Sequence, residues 1–136
     1  ELMPALELYR QDFTPSAQQD RPHAAAGVSV FAADTDAEAQ RLFTSAQQQF
    51  TNLIRGTPGR LQPPIVDIDA YWSPAEKNHV NGMLACSFVG SYAHVREAVK
   101  EFVDRTGVEE LIVASAMYDQ AARLRSYEIL RDAVGE

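Results

Sequence analysis

Disulfide bonds, membrane spans and nucleotide fingerprints are all missing from this sequence of 136 residues. Its single cysteine, Cys86, has no partner for an internal bridge, so the chain does not call for an oxidising compartment. No apolar run approaches the roughly 20 residues that cross a bilayer. No basic flank followed by an apolar stretch marks a signal peptide near the start. Basic residues are the minority, 12 Lys and Arg against 19 Asp and Glu. The net charge of −7 leaves no electrostatic footprint for nucleic acid. Neither G-x-G-x-x-G nor G-x-x-x-x-G-K-[ST] occurs, which removes the usual phosphate-cradling loops. These absences predict a cytoplasmic protein with neither nucleic-acid nor membrane partners. What remains is 46% hydrophobic and 23% charged, an ordinary globular balance.

The length suits one domain or a piece of one. Leu2, Ala5, Leu6, Tyr9 and Phe13 recur at offsets of three and four and predict a helix over about 4–12. A chain that enters a helical stripe this directly reads as part of a longer one. Gly27-Val28-Ser29-Val30-Phe31-Ala32-Ala33 is short, β-branched and nearly all apolar, as a strand covered on both faces should be. Thr35 with Glu38 forms a capping box for a helix over 36–54, whose stripe is Ala39, Leu42, Phe43, Ala46, Phe50, Leu53 and Ile54. Prolines and glycines then forbid regular structure, and residues 55–72 form a long excursion.

Ser73-Pro74-Ala75-Glu76 is a second capping box, with proline at the first helical position, and opens a helix over about 74–85. Ser91 is a plausible N-cap for a helix that stops near Gly107. Leu111 to Met117 is the second strand, within a span of about 110–117, and a last helix runs from about Gln120 to Ala133. Strands alternating with helices are the rhythm of parallel α/β architecture. Two strands alone leave open edges, so the expectation is an incomplete α/β domain, a partial single domain over 1–136. The unpartnered inner faces are expected at Val28, Val30, Ile112 and Ala114. Self-association to at least a dimer, through the strands or the 36–54 helix, is the expected remedy.

Few side chains offer chemistry. Glu76 and His79 have the E-x-x-H spacing of di-iron bundles, but a site needs two such motifs and further glutamates, so no metal is expected. Asp67 and Asp69 read equally as loop solubility. His94 has no acid at triad spacing and no G-x-S-x-G elbow accompanies it, while His23, in the polar approach to a strand, reads as a passive surface residue. Cys86 sits in an apolar context without a basic neighbour to activate it. Gly90-Ser91, opening a helix, is a weak anion site. Ligands of parallel α/β folds bind beyond the carboxyl ends of the strands. That rim comprises Ser115, Met117, Tyr118, Asp119 and Gln120 after the second strand, and Ala33, Asp34 and Thr35 after the first. Ser115, Tyr118 and Asp119 are the low-ranking cofactor candidates, and Asp119 serves equally as an N-cap.

The ordered set Tyr9-Arg10, Phe13, Pro15-Ser16, Gly27 to Val30, Ala32 to Asp36 and Glu38-Ala39 resembles the luciferase-like flavin-dependent monooxygenases. Gln48 to Phe50, Arg55-Gly56, Pro63-Pro64, Trp72 to Pro74, Gly90-Ser91, Val95, Ser115 to Asp119 and Arg123 to Tyr127 continue it. The likeness is greatest to the bacterial LLM-class oxidoreductases.

The resemblance implies a C-terminal segment of a TIM-type (β/α)8 barrel of about 330 residues. Residues 27–33 would be its seventh strand and 111–117 its eighth, with about five helices in all. It implies FMN as cofactor, in preference to the deazaflavin F420. Reduced FMN and O2 would give a peroxyflavin that oxygenates a small organic substrate. It also implies a lid at residues 55–72, with the catalytic and most flavin-gripping residues lying upstream. The segment alone is then expected to be inactive. The rival reading is a non-catalytic, self-assembling α/β module.

Overall fold

The computed structural model describes residues 2–135. Helix α1 spans Leu2–Asp12 and strand β1 Ala25–Ala32. Helices α2 (Asp36–Ile54) and α3 (Pro74–Met83) precede strand β2 (Ser87–Gly90). Helix α4 (Tyr92–Thr106), strand β3 (Glu110–Ala114) and helix α5 (Gln120–Val134) complete the order. Among the described residues, no helix is long and apolar enough to cross a membrane.

The sheet has three parallel strands in the order β2-β1-β3, not the two strands that the sequence pattern predicts. The additional strand, Ser87-Phe88-Val89-Gly90, pairs with Ser29 to Ala32. The expected helix over 74–85 ends at Met83, and Leu84 caps it. At its far end β3 stops at Ala114, three residues short of Met117, because Ser115 turns its hydroxyl onto the Val30 carbonyl at 2.7 Å.

From β1 the chain crosses to β2 on one side, then returns past β1 to β3 on the other. Right-handed crossovers in opposite directions put their helices on opposite faces of the sheet. The packing follows this rule. Ala26, Val28, Val30 and Ala32 meet Leu6 of α1, Val95, Val99 and Phe102 of α4, and Ile129, Leu130 and Ala133 of α5. Phe31 and Ala33 instead meet Ala39, Leu42, Phe43 and Ala46 of α2, together with Met117. The Phe31 and Phe43 rings lie 4.8 Å apart in a tilted pair.

This alternation corrects the expected open face. Val28 and Val30 are only 4% and 1% exposed, because they point into the layer of α1, α4 and α5. Strand side chains alternate between faces, so a misjudged phase moves every residue to the wrong side. The register pairs Gly27 with Ile112 and Ser29 with Ala114. Ile112 and Ala114 therefore keep their expected exposure, next to Gly27 and Ser29 instead of the two valines.

Helix ends are fastened locally and at long range. Gly107 closes α4 in the left-handed conformation, φ +62°. Arg10 of α1 donates to the Thr106 and Gly107 carbonyls at 2.7 and 2.9 Å, placing a cation at the negative end of α4.

Candidate functional site

The carboxyl ends of the three parallel strands deliver three loops to one rim, each leading into a helix. At the end of β1, Thr35 Oγ1 accepts the Glu38 N–H at 3.2 Å and caps α2. One residue on, Asp36 reaches across to the end of β2. Its Oδ1 accepts the Ser91 N–H at 2.6 Å, and His94 Nδ1 lies 3.6 Å from the same oxygen.

Asp36 is thus a carboxylate seated at the positive end of α4, whose own N-cap side chain makes no capping bond. The Ser91 backbone N–H is the main reason its pKa lies below the usual carboxylate range, with the Ser91 side chain and His94 adding to the effect. Gly90 is required there: a Cβ would come within 2.7 Å of His94 Cβ and 2.9 Å of Asp36 Oδ1.

On the other side of β1, the residues after β3 are largely committed. Ser115 is buried with its hydroxyl on Val30 O. Asp119 Oδ2 accepts the Ala122 N–H at 2.8 Å and caps α5. Tyr118 projects into solvent. Asp34 binds Arg125 of α5 at 2.8 Å, tying the end of β1 to the last helix.

The structure therefore joins Gly90 and Ser91 to Asp36 and His94, while Ser115, Tyr118 and Asp119 follow β3 on the opposite flank. Sequence reasoning missed Asp36 as the acid that pairs with His94. It also missed Ser126, which is fully buried and accepts the Ala32 N–H at 2.9 Å. Only the position of Asp36 inside the Thr35-to-Glu38 cap hinted at its place on the rim.

Residues 55–72 lie along α2, held by one polar row of that helix. Thr44 Oγ1 accepts the Ile65 N–H at 3.0 Å, Gln48 Nε2 donates to Pro63 O at 3.0 Å, and Tyr71 Oη donates to Asn52 Oδ1 at 2.5 Å. Arg55 closes the row, gripping Glu76 at 2.7 and 2.9 Å and the Tyr71 carbonyl at 2.8 Å. Arg55 and the Ser73 backbone N–H hold the Glu76 pKa down to about 2. Asp69, which binds Lys77 and the Trp72 indole N–H, also lies below the usual carboxylate range.

Glu76 is thereby engaged as a cap and clasp. His79 and Cys86 line a separate groove beside α1 and the end of α4. Among the described residues, no three His, Cys, Asp or Glu side chains come together to hold a metal.

No protein-family model matches the sequence. The uncharacterised protein YvbT of Bacillus subtilis is 47% identical over 96% of this chain, and a luciferase-like monooxygenase of Escherichia coli is 41% identical over 96%. The chain spans 39% of the length of each. The crystal structure of apo-MsnO8 matches with a TM-score of 0.77 and 32% identity, over 98% of this chain and 41% of that one. Nearly the whole chain is thus similar to one part of a luciferase-like monooxygenase, about two-fifths of whose length it spans.

Proposed function

We propose that this chain is the C-terminal portion of an FMN-dependent monooxygenase that oxygenates a small organic substrate. The observation that carries this reading is 41% identity to a luciferase-like monooxygenase along 96% of the chain. The parallel α/β sheet is compatible with the family only at that level, because the order β2-β1-β3 with helices on both faces departs from the consecutive strands and single helical ring of a (β/α)8 barrel. The lie of residues 55–72 along α2, fastened chiefly by Arg55, supports a closed lid.

The residues present do not by themselves fit a flavin phosphate. The N–H at the start of α4 that would receive one already holds the Asp36 carboxylate at 2.6 Å, and a second anion there would meet like charge. Ser115 spends its hydroxyl on Val30 O, and Asp119 presents a carboxylate. The flavin grip thus belongs to the remaining three-fifths of such a protein, and the isolated chain is inactive.

The test is FMN fluorescence titration of two proteins. One is this chain alone. The other is a chimera in which the chain replaces its matched segment in the Escherichia coli relative. Quenching by the chimera at micromolar concentration, and none by the chain, is expected. Quenching by the isolated chain would sink the claim that its own residues are insufficient. A well-folded chimera without quenching, beside an intact relative that quenches, would sink the flavin reading.

A further inference from the structure

Asn81 is followed by Gly82, whereas the other two asparagines, Asn52 and Asn78, are followed by Leu53 and His79. An asparagine carboxamide can be attacked by the backbone nitrogen of the next residue, and a side chain on that residue obstructs the approach. Glycine removes the obstruction and frees the backbone to reach the angles that attack requires.

The structure leaves this pair open to attack. Asn81 and Gly82 are both exposed in the last turn of α3, and a Cβ at Gly82 would meet nothing within 4 Å. The Asn81 carboxamide has no hydrogen-bond partner among the described residues. Gly82 and Met83 line an open groove beside α1, so water reaches the site. A regular helical turn holds the Gly82 nitrogen away from the Asn81 side chain, so that turn must first open. Little resists the opening: Asn81, Gly82 and Met83 are all exposed, and glycine inside a helix weakens it. The buried anchor of the turn is Val80, just before the pair. Asn52, by contrast, lies inside α2 with its side-chain oxygen on the Tyr71 hydroxyl.

We propose that Asn81 is a site of spontaneous deamidation. The Gly82 backbone nitrogen bonds to Asn81 Cγ, and its proton leaves with the carboxamide nitrogen as ammonia. Water then adds to either carbonyl of the five-membered succinimide. One opening leaves an aspartyl side chain. The other leaves an isoaspartyl residue, whose backbone runs through the former side chain and is one carbon longer. No electron is transferred, and water is the only co-reactant.

Either product puts a negative charge at the negative end of α3, whose last turn carries no basic residue to offset it. The Leu84 N–H, which closes the helix on Val80 O at 2.9 Å, follows directly. The modified chain is therefore expected to lose the end of α3 and to unfold at lower urea.

Peptide mapping by mass spectrometry, after incubation of the folded chain at mildly alkaline pH, provides the test. Position 81 is expected to gain one dalton at least tenfold faster than Asn52 or Asn78. Gly82→Ala is expected to slow that conversion at least tenfold, and to slow it in urea as well, where helix stability plays no part. The converted fraction, separated by charge, is expected to unfold at lower urea than the unconverted one. Conversion at 81 no faster than at the other two asparagines would overturn the proposal. So would conversion confined to the urea-unfolded chain, because α3 would then protect the pair. A rate in urea that Gly82→Ala leaves unchanged would overturn the succinimide route, and equal unfolding midpoints would overturn the effect on α3.

Discussion

Ser126→Ala offers a test of how the centre of the sheet is held together. Strand β3 pairs with β1 only as far as Ser29. Beyond that point two serine hydroxyls replace a neighbouring strand: Ser115 donates to Val30 O at 2.7 Å, and Ser126 accepts the Ala32 N–H at 2.9 Å. Ala32 and Ser126 are both fully buried, so no water can take over the bond without the core opening. Leaving a buried backbone donor unmet costs about 1–3 kcal/mol, against roughly 0.5–1.5 for an ordinary bond lost. Ser115→Ala is expected to be milder, since the Val30 oxygen keeps the more distant Ser126 hydroxyl at 3.5 Å. With a urea m-value of about 1–3 kcal/mol/M, the Ser126 variant should unfold at a midpoint roughly 1 M lower. Exchange of the Ala32 amide should accelerate with it. A loss under about 0.5 kcal/mol, the range of a surface substitution, would show that this bond is not what satisfies the strand.

Two further outcomes follow from the rim and the clasp. Gly90→Ala should cost about 1–3 kcal/mol in urea unfolding, because the added methyl must displace His94 or Asp36. Gly82→Ala, whose Cβ meets nothing within 4 Å inside α3, should instead stabilise by about 1 kcal/mol. The Glu76 clasp gives an acid-sensitive contribution. Its pKa falls from 4.5 to about 2 on folding, so its stabilisation is complete above the unfolded value and fades as pH drops towards 2. Paired unfolding curves of the wild type and Glu76→Gln should therefore differ most near neutrality and converge below pH 4.5. A gap that stays constant down to pH 2 would refute the linkage.

The legible parts of the fold were those written in local chemistry. Ser73 and Glu76 form the reciprocal capping box of α3. At α2, Thr35 caps through its own side chain and Glu38 turns to Arg41, so that box is only half made. Ala39, Leu42, Phe43 and Ala46 form the buried stripe. The stripe weakens beyond that, and Leu53 is half exposed. Strand β2 escaped detection because four residues that end in glycine show too little alternation to be separated from the end of a helix. The rim was located by the general rule for strand ends, but its content was not. The carboxylate on α4 comes from Asp36, and a contact between residues 36 and 91 leaves no trace in local periodicity.

The phase of β1 was legible in principle, and it separates the self-sufficient part of this chain from the dependent part. Its larger apolar residues, Val28 and Val30, alternate with the small Gly27 and Ser29. Bulk points to α1, α4 and α5, where a continuous cluster from Leu6 to Ala133 forms without outside help. On the other face α2 covers only the carboxyl end, through Phe31 and Ala33. Small residues there allow another layer to approach the sheet closely. Fully burying a Leu, Ile or Val is worth about 1.5–3 kcal/mol, and β3 leaves most of that gain unrealised at Ile112 and part of it at Leu111 and Val113. The sheet is therefore firmest at β1 and loosest at β3, and local opening should begin at β3. That gradient leaves the α1, α4 and α5 face of the sheet closed on its own helices and the β3 flank the less covered one.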